Sequence, residues 1–282
     1  MSGSVPVLDP GADSPPEPRW SVTVSAKLST GVVAGAAWRD SGVMRGIWRE
    51  LAGLVLPVDC AGCGQPRTEL CAACCRALWR GGRGAGRVRP WPVPAGLPRV
   101  WAGAPYADEV RAVLLAHKER GALRLAAPLG AVLAGAVRGV GGGGGPLLLV
   151  PVPSARSAVA GRGHDPVRRI ALAASAELRR SGVGVRMLAV LRQRRAVADQ
   201  AGLDARQRLA NVAGALEVPG AARRLMAGVP VVLVDDLVTT GATIAEAARA
   251  VRAAGARVTG AAVVAAPRSS FLSLSTEAGR RM

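Results

Sequence analysis

The chain has 282 residues, half of them hydrophobic and a fifth charged, a balance that excludes wholesale disorder and leaves room for one large domain or two modest ones. The longest charge-free apolar run of near-helical length, Leu125 to Val137, contains Pro128 and falls short of the roughly 20 residues a membrane span needs. The N-terminus has neither the basic start nor the apolar block of a secretory signal, so a cytoplasmic protein is expected. A net charge of +18 invites a polyanionic partner such as nucleic acid or a phosphorylated metabolite. Only Lys27 and Lys118 among the 37 basic residues are lysines, however, so the excess also reads as a compositional skew that leaves a generally basic exterior. Few aromatic residues are present for base stacking, Tyr106 and Phe271 being the only ones besides six Trp.

In chain order, residues 1–43 carry Pro15, Pro16 and Pro18, no sustained periodicity and a nominal charge of −1 against +19 for the rest. They read as a disordered extension, with Met44 the expected start of the folded protein. Residues 44–90 hold all five cysteines and close in a Gly/Arg-rich linker, Gly81 to Arg87, followed by Pro90, Pro92, Pro94 and Pro98. This composition shift predicts a domain boundary. Residues 100–268 alternate apolar runs with amphipathic segments: VWAGAPY, a helix from Asp108, LLLVPVP at 147–153, a helix from Asp165, VVLV at 231–234, a helix from Thr243, and VTGAAVVAA at 258–266. Strands alternating with helices predict an α/β fold, a parallel sheet flanked by helices. The Ser-rich tail, 269–282, is expected to be loose.

Cys60 and Cys63 form one Cys-x2-Cys pair, and Cys71 and Cys74 a second. Two such pairs offer four thiolates to one ion, which predicts a small zinc-ribbon-like module holding structural Zn2+. A disulfide framework is disfavoured in a cytoplasmic chain, while redox chemistry or metal-free thiols remain alternatives. Four sulfurs leave no open coordination position, so this module is expected to hold the fold and not to catalyse. Cys75 is a spare thiol.

The sharpest segment is VVLVDDLVTTGAT, Val231 to Thr243. A buried strand ends in Asp235 and Asp236, and Thr239, Thr240, Gly241, Ala242 and Thr243 lead into a helix with Ile244, Ala247, Ala248 and Val251 on its apolar face. Backbone N–H groups at such a helix start converge on one spot and bind phosphate. The two carboxylates suit sugar hydroxyls, and a ribose 5-phosphate unit supplies both features. Their charge would also stabilise an oxocarbenium-like anomeric carbon, which makes Asp235 and Asp236 the catalytic candidates. No Gly-Lys-Ser/Thr follows a glycine loop, which disfavours nucleoside-triphosphate hydrolysis.

On these residues the chain resembles the phosphoribosyltransferases, whose signature for 5-phosphoribosyl 1-pyrophosphate (PRPP) is an apolar strand, two acids and a Thr-Thr-Gly-x-Thr loop. More narrowly it resembles the ComF/GntX branch, associated in bacteria with competence for DNA uptake. That likeness rests on the cysteine pairs after an apolar opening, HKERG at 117–121, VPVPSA at 150–155, Arg162-Gly163, and Gln200, Leu203, Arg208 and Asn211. His164-Asp165-Pro166 stands where the family often has an aromatic residue, Asn and Gln, and Gln207 where it commonly has Glu.

The resemblance implies a type I phosphoribosyltransferase-like domain that binds PRPP with Mg2+ and transfers ribosyl phosphate with release of pyrophosphate. It implies a pyrophosphate loop after 147–153, where Arg156 and Arg162 are the available cations, and a flap over Arg192 to Val212 with Arg208 as a candidate contact. Lys118 is a further substrate-binding candidate, being the only lysine of the folded part. A non-catalytic PRPP sensor, or an accessory protein that binds single-stranded DNA during uptake, is the alternative. A glutamine amidotransferase is rejected because the earliest cysteine is Cys60, inside the metal-like cluster.

Overall fold

The computed structural model describes residues 59–83, 85–141, 145–195 and 204–272, all within one compact unit spanning Leu51–Met282. The expected N-terminal extension, the start at Met44, Gln200, Leu203 and most of the expected tail lie outside the described residues.

In chain order the elements are α1 (Ala72–Arg83), β1 (Gly86–Val88), β2 (Val100–Pro105), α2 (Asp108–Glu119), α3 (Ala126–Val140), β3 (Leu147–Pro151), α4 (Arg156–Arg162), α5 (Pro166–Arg180) and β4 (Val185–Met187). There follow β5 (Arg192–Gln193), α6 (Ala205–Val212), β6 (Leu216–Glu217), α7 (Gly220–Arg223), β7 (Val231–Leu237), α8 (Ala242–Ala253) and β8 (Val258–Ala266). Six strands form one sheet in the order β1-β2-β8-β7-β3-β4, parallel except for the antiparallel edge strand β1. Strands β5 and β6 pair separately as a short antiparallel ribbon.

The sheet is covered on both faces, and the side chains of its central strands alternate between two cores with the period of two that a pleated strand imposes. Leu147 and Leu149 of β3, Val232 and Val234 of β7, and Ala262 and Val264 of β8 face a core built from α1, α2, α3 and α5. Leu148, Val150, Val231, Leu233, Ala261 and Val263 face the opposite core, with Ile244, Ala247, Ala248 and Val251 of α8. This two-sided burial is why the central strands read as unbroken apolar runs.

Helix α5 begins where its sequence places a cap. The Asp165 side chain accepts from the Arg168 N–H, and Pro166 occupies the first turn. Helix α3 and the turn before it, Leu123–Val140, are long and apolar enough to cross a membrane by length and composition. They pack instead as a core helix, with Leu129, Val132, Leu133 and Ala136 fully buried against the sheet and α5. The helix that follows the cysteines enters the same interior: Leu78 of α1 is fully buried in the core that holds Val113 and Leu129.

Candidate functional site

Strand β7 runs three residues further than its apolar stretch suggests, because its pairing with β8 continues through Asp235↔Val263 to Leu237↔Ala265. The two acids therefore belong to the strand. Asp236 lies on the side covered by α2, where it meets Lys118. Both acids line one cavity of about 670 Å³, which opens at the carboxyl end of the strand. Open α/β sheets bind ligands in that position.

The floor of the cavity is the loop Thr239 to Thr243. Gly241 adopts φ +75° as the N-cap of α8, and a side chain there would meet Leu97 and Pro90 at 3.1 Å. Only glycine takes that left-handed turn without strain. The first residues of α8, Ala242 to Ile244, line the cavity, and the Ala242 N–H donates to the Thr240 hydroxyl at 3.5 Å. The partial positive charge of the helix start lies at the same place. The opposite wall comes from Val152, Pro153, Ser154 and Ala155 after β3, and a third wall from Gln193, Val212, Ala215 and Leu216.

Charge in the cavity is arranged in pairs. The Lys118 ammonium donates to Asp236 Oδ2 at 2.8 Å, Asp236 being 6% exposed. Burial alone would lower the Lys118 pKa, but the Asp236 charge and hydrogen bond outweigh it, and the ammonium is held above its ordinary value. The Asp235 carboxyl is pushed well above the usual carboxylate range by burial first and by the charge of Asp236 second. Its Oδ1 accepts the Asp236 backbone N–H at 2.9 Å. Arg162 also lines the cavity, its guanidinium donating through two nitrogens to Glu119 at 2.9 Å each. The structure thus brings together Lys118, Arg162, Asp235, Asp236 and Thr239 to Thr243.

Two candidates sit elsewhere. Arg156 points toward the ribbon and donates to the Gln193 carbonyl at 3.2 Å, outside the cavity lining. Arg208 lies on α6, also outside that lining. His164 is a loop imidazole whose ring nitrogens lie 3.2 Å from the carbonyls of Arg162 and His117. Sequence reasoning missed Glu119, which fixes Arg162, and Glu246, which ties the third wall to α8. Glu246 is 6% exposed, accepts the Leu216 N–H at 3.0 Å and takes two bonds of 2.7 Å from Arg249, which also donates to the Leu216 carbonyl. A buried acid three residues before an arginine on one helix face was the available signal.

The four cysteines form a second centre. Their sulfurs all lie within 4.8 Å of one another, with Cys63 and Cys71 Sγ 3.6 Å apart. Tetrahedral zinc with Zn–S of about 2.3 Å requires sulfurs about 3.8 Å apart, so the set can hold a zinc ion. The N–H groups of Cys71 and Cys74 donate to Cys60 and Cys71 sulfurs. Burial would raise the Cys60 pKa, but backbone hydrogen bonds bring it down to about 6, whereas burial and neighbouring thiols push Cys74 up. Four crowded thiols cannot all ionise without a cation, which is the chemistry of a metal site. Gly62 has no room for a side chain: a Cβ would lie 2.6 Å from Cys74 Sγ and 3.5 Å from Glu109 Cβ of α2.

Residues 170–275 match the family described as Phosphoribosyl transferase domain. The matched stretch contains Asp235, Asp236 and the loop Thr239 to Thr243 but neither Lys118 nor Arg162. No curated protein matches the chain.

Proposed function

We propose that this protein, which carries a phosphoribosyltransferase domain at residues 170–275, binds PRPP and passes its ribosyl phosphate to a nitrogen acceptor. The observation that carries this reading is the single cavity in which the turn at Gly241, the start of α8 and both aspartates converge. The 5-phosphate would sit on the loop Thr239 to Thr243, and Asp235 and Asp236 would accept the 2- and 3-hydroxyls. In the transfer the bond from C1 to the diphosphate breaks with its electron pair leaving on pyrophosphate, the acceptor nitrogen bonds C1, and its proton departs. The aspartates stabilise the positive charge that develops at C1.

Magnesium would ride with the diphosphate and water, since it usually takes few protein ligands, and it would neutralise charge on the leaving group. The cavity suits such a need, because Arg162 is already paired with Glu119. In the same proposal the cysteine cluster carries structural zinc. The likeness of the HKERG, VPVPSA and cysteine motifs to the ComF/GntX branch extends the proposal to a cytoplasmic role linked to DNA uptake.

Calorimetric titration of PRPP with magnesium tests the reading. Binding by the native protein and its loss in Asp235→Asn/Asp236→Asn is expected, followed by pyrophosphate release when an acceptor panel is added. Affinity without turnover would make the protein a PRPP sensor, and no heat from the native protein would reject the proposal.

A further inference from the structure

The last turn of α2 sends three consecutive side chains to three different partners, and of the three Lys118 lines the cavity. The His117 ring is fully buried with its nitrogens 3.2 and 3.4 Å from the carbonyls of Ala122 and Pro166, which fixes the turn against the start of α5. Lys118 crosses to Asp236 on β7. Glu119 grips Arg162 on α4 through both carboxylate oxygens. Arg162 is therefore a fixed cation, because its guanidinium is oriented by a bidentate partner.

Lys118 differs from it in every respect that governs movement. It makes one hydrogen bond with one of three ammonium protons, its side chain is 35% exposed, and its four-carbon stem offers several rotamers. It also lines the same cavity as Ser154 and Ala155, the loop expected to receive the diphosphate.

We propose that Lys118 is a travelling cation. It neutralises Asp236 in the empty cavity and transfers to the diphosphate when substrate binds, freeing Asp236 Oδ2 to accept a ribose hydroxyl. This deepens the phosphoribosyl reading and rests on it. The exchange keeps a carboxylate buried without a ligand from being left unpaired, and it delivers a positive charge to the oxygen on which the leaving electron pair settles. Arginine would serve poorly, because its planar fork can hold both Asp236 oxygens at once and resist release.

The test separates the two ends of the substrate. Inorganic pyrophosphate with magnesium, and ribose 5-phosphate, are titrated separately into the full chain as native protein, Lys118→Met and Lys118→Arg. Lys118→Met is expected to weaken pyrophosphate by about 10- to 100-fold, the scale of one charge-assisted contact, and to leave ribose 5-phosphate within about threefold. Lys118→Arg, despite its retained charge, is expected to weaken pyrophosphate as well. Equal loss of both ligands in Lys118→Met, or unchanged pyrophosphate binding, overturns the proposal. Should Lys118→Met melt early, Lys118→Arg decides alone, native-like pyrophosphate affinity being the refuting result. A native protein that binds neither ligand rejects the phosphoribosyl reading itself, whereas binding of both with no Lys118 effect rejects only the travelling cation.

Discussion

Replacing Glu246 with Ala removes the tie between the β5–β6 ribbon and α8, the helix that follows the loop Thr239 to Thr243. The acid is 6% exposed, whereas its partner Arg249 is half exposed. Arg249 regains water when released, so the ion pair itself is worth only about 0–1 kcal/mol. The Leu216 N–H, buried and accepted by Glu246, loses its partner, at a cost of about 1–3 kcal/mol. The expected total is about 1–4 kcal/mol by urea denaturation. Leu216 and Ala215 line the cavity, so PRPP affinity should fall with it.

A second handle on the same clamp is pH. Burial would raise the Glu246 pKa, but hydrogen bonds from Arg249 and from the Leu216 and Gly214 backbone outweigh it and hold the carboxyl below its ordinary 4.5. A group depressed on folding contributes stability above its unfolded value and loses it as pH falls through the folded one. Glu246→Gln should therefore flatten the fall in stability below about pH 4.5. A stability change under about 0.5 kcal/mol in Glu246→Ala, together with a native acid limb in Glu246→Gln, would refute the clamp.

Leu78→Ala empties a fully buried position among Val113, Leu129 and their neighbours, and a loss of about 2–5 kcal/mol in denaturant titration is expected. A strong chelator should lower the melting temperature of the native protein and release one zinc per chain by elemental analysis. Cys60→Ser should reproduce that melting temperature without chelator and make it insensitive to chelation.

Where a run of residues carried its own signal, the sequence was easily read. Val231 to Val234 and Leu147 to Val150 are apolar because both faces of their strands are buried, and Asp165-Pro166 marks the start of α5 by its cap. The turn into α8 was legible because it demands Gly241 at a fixed offset from the strand. Strands β1, β4, β5 and β6 were not, since two or three residues are too few to show a period. Lys118 stood out as a lysine among arginines, but its partner Asp236 lies 118 positions away, and no local pattern encodes that pairing. Arg156 and Arg162 looked alike in a chain so rich in arginine. What separates them is Glu119 at Arg162 and the Gln193 carbonyl at Arg156, both contacts made by chain folding.

Strand order also bears on how the molecule is made. The last strand in sequence, β8, lies between β2 and β7, so those two become neighbours only through it. Synthesis delivers β2 and its antiparallel companion early, β3, β4 and β7 later, and β8 last of these six. Translation halted before residue 258 would leave the edges of β2 and β7 that β8 covers open to pairing with other chains, the hazard every unprotected strand edge presents. Emergence of β8 is therefore the event that closes the sheet.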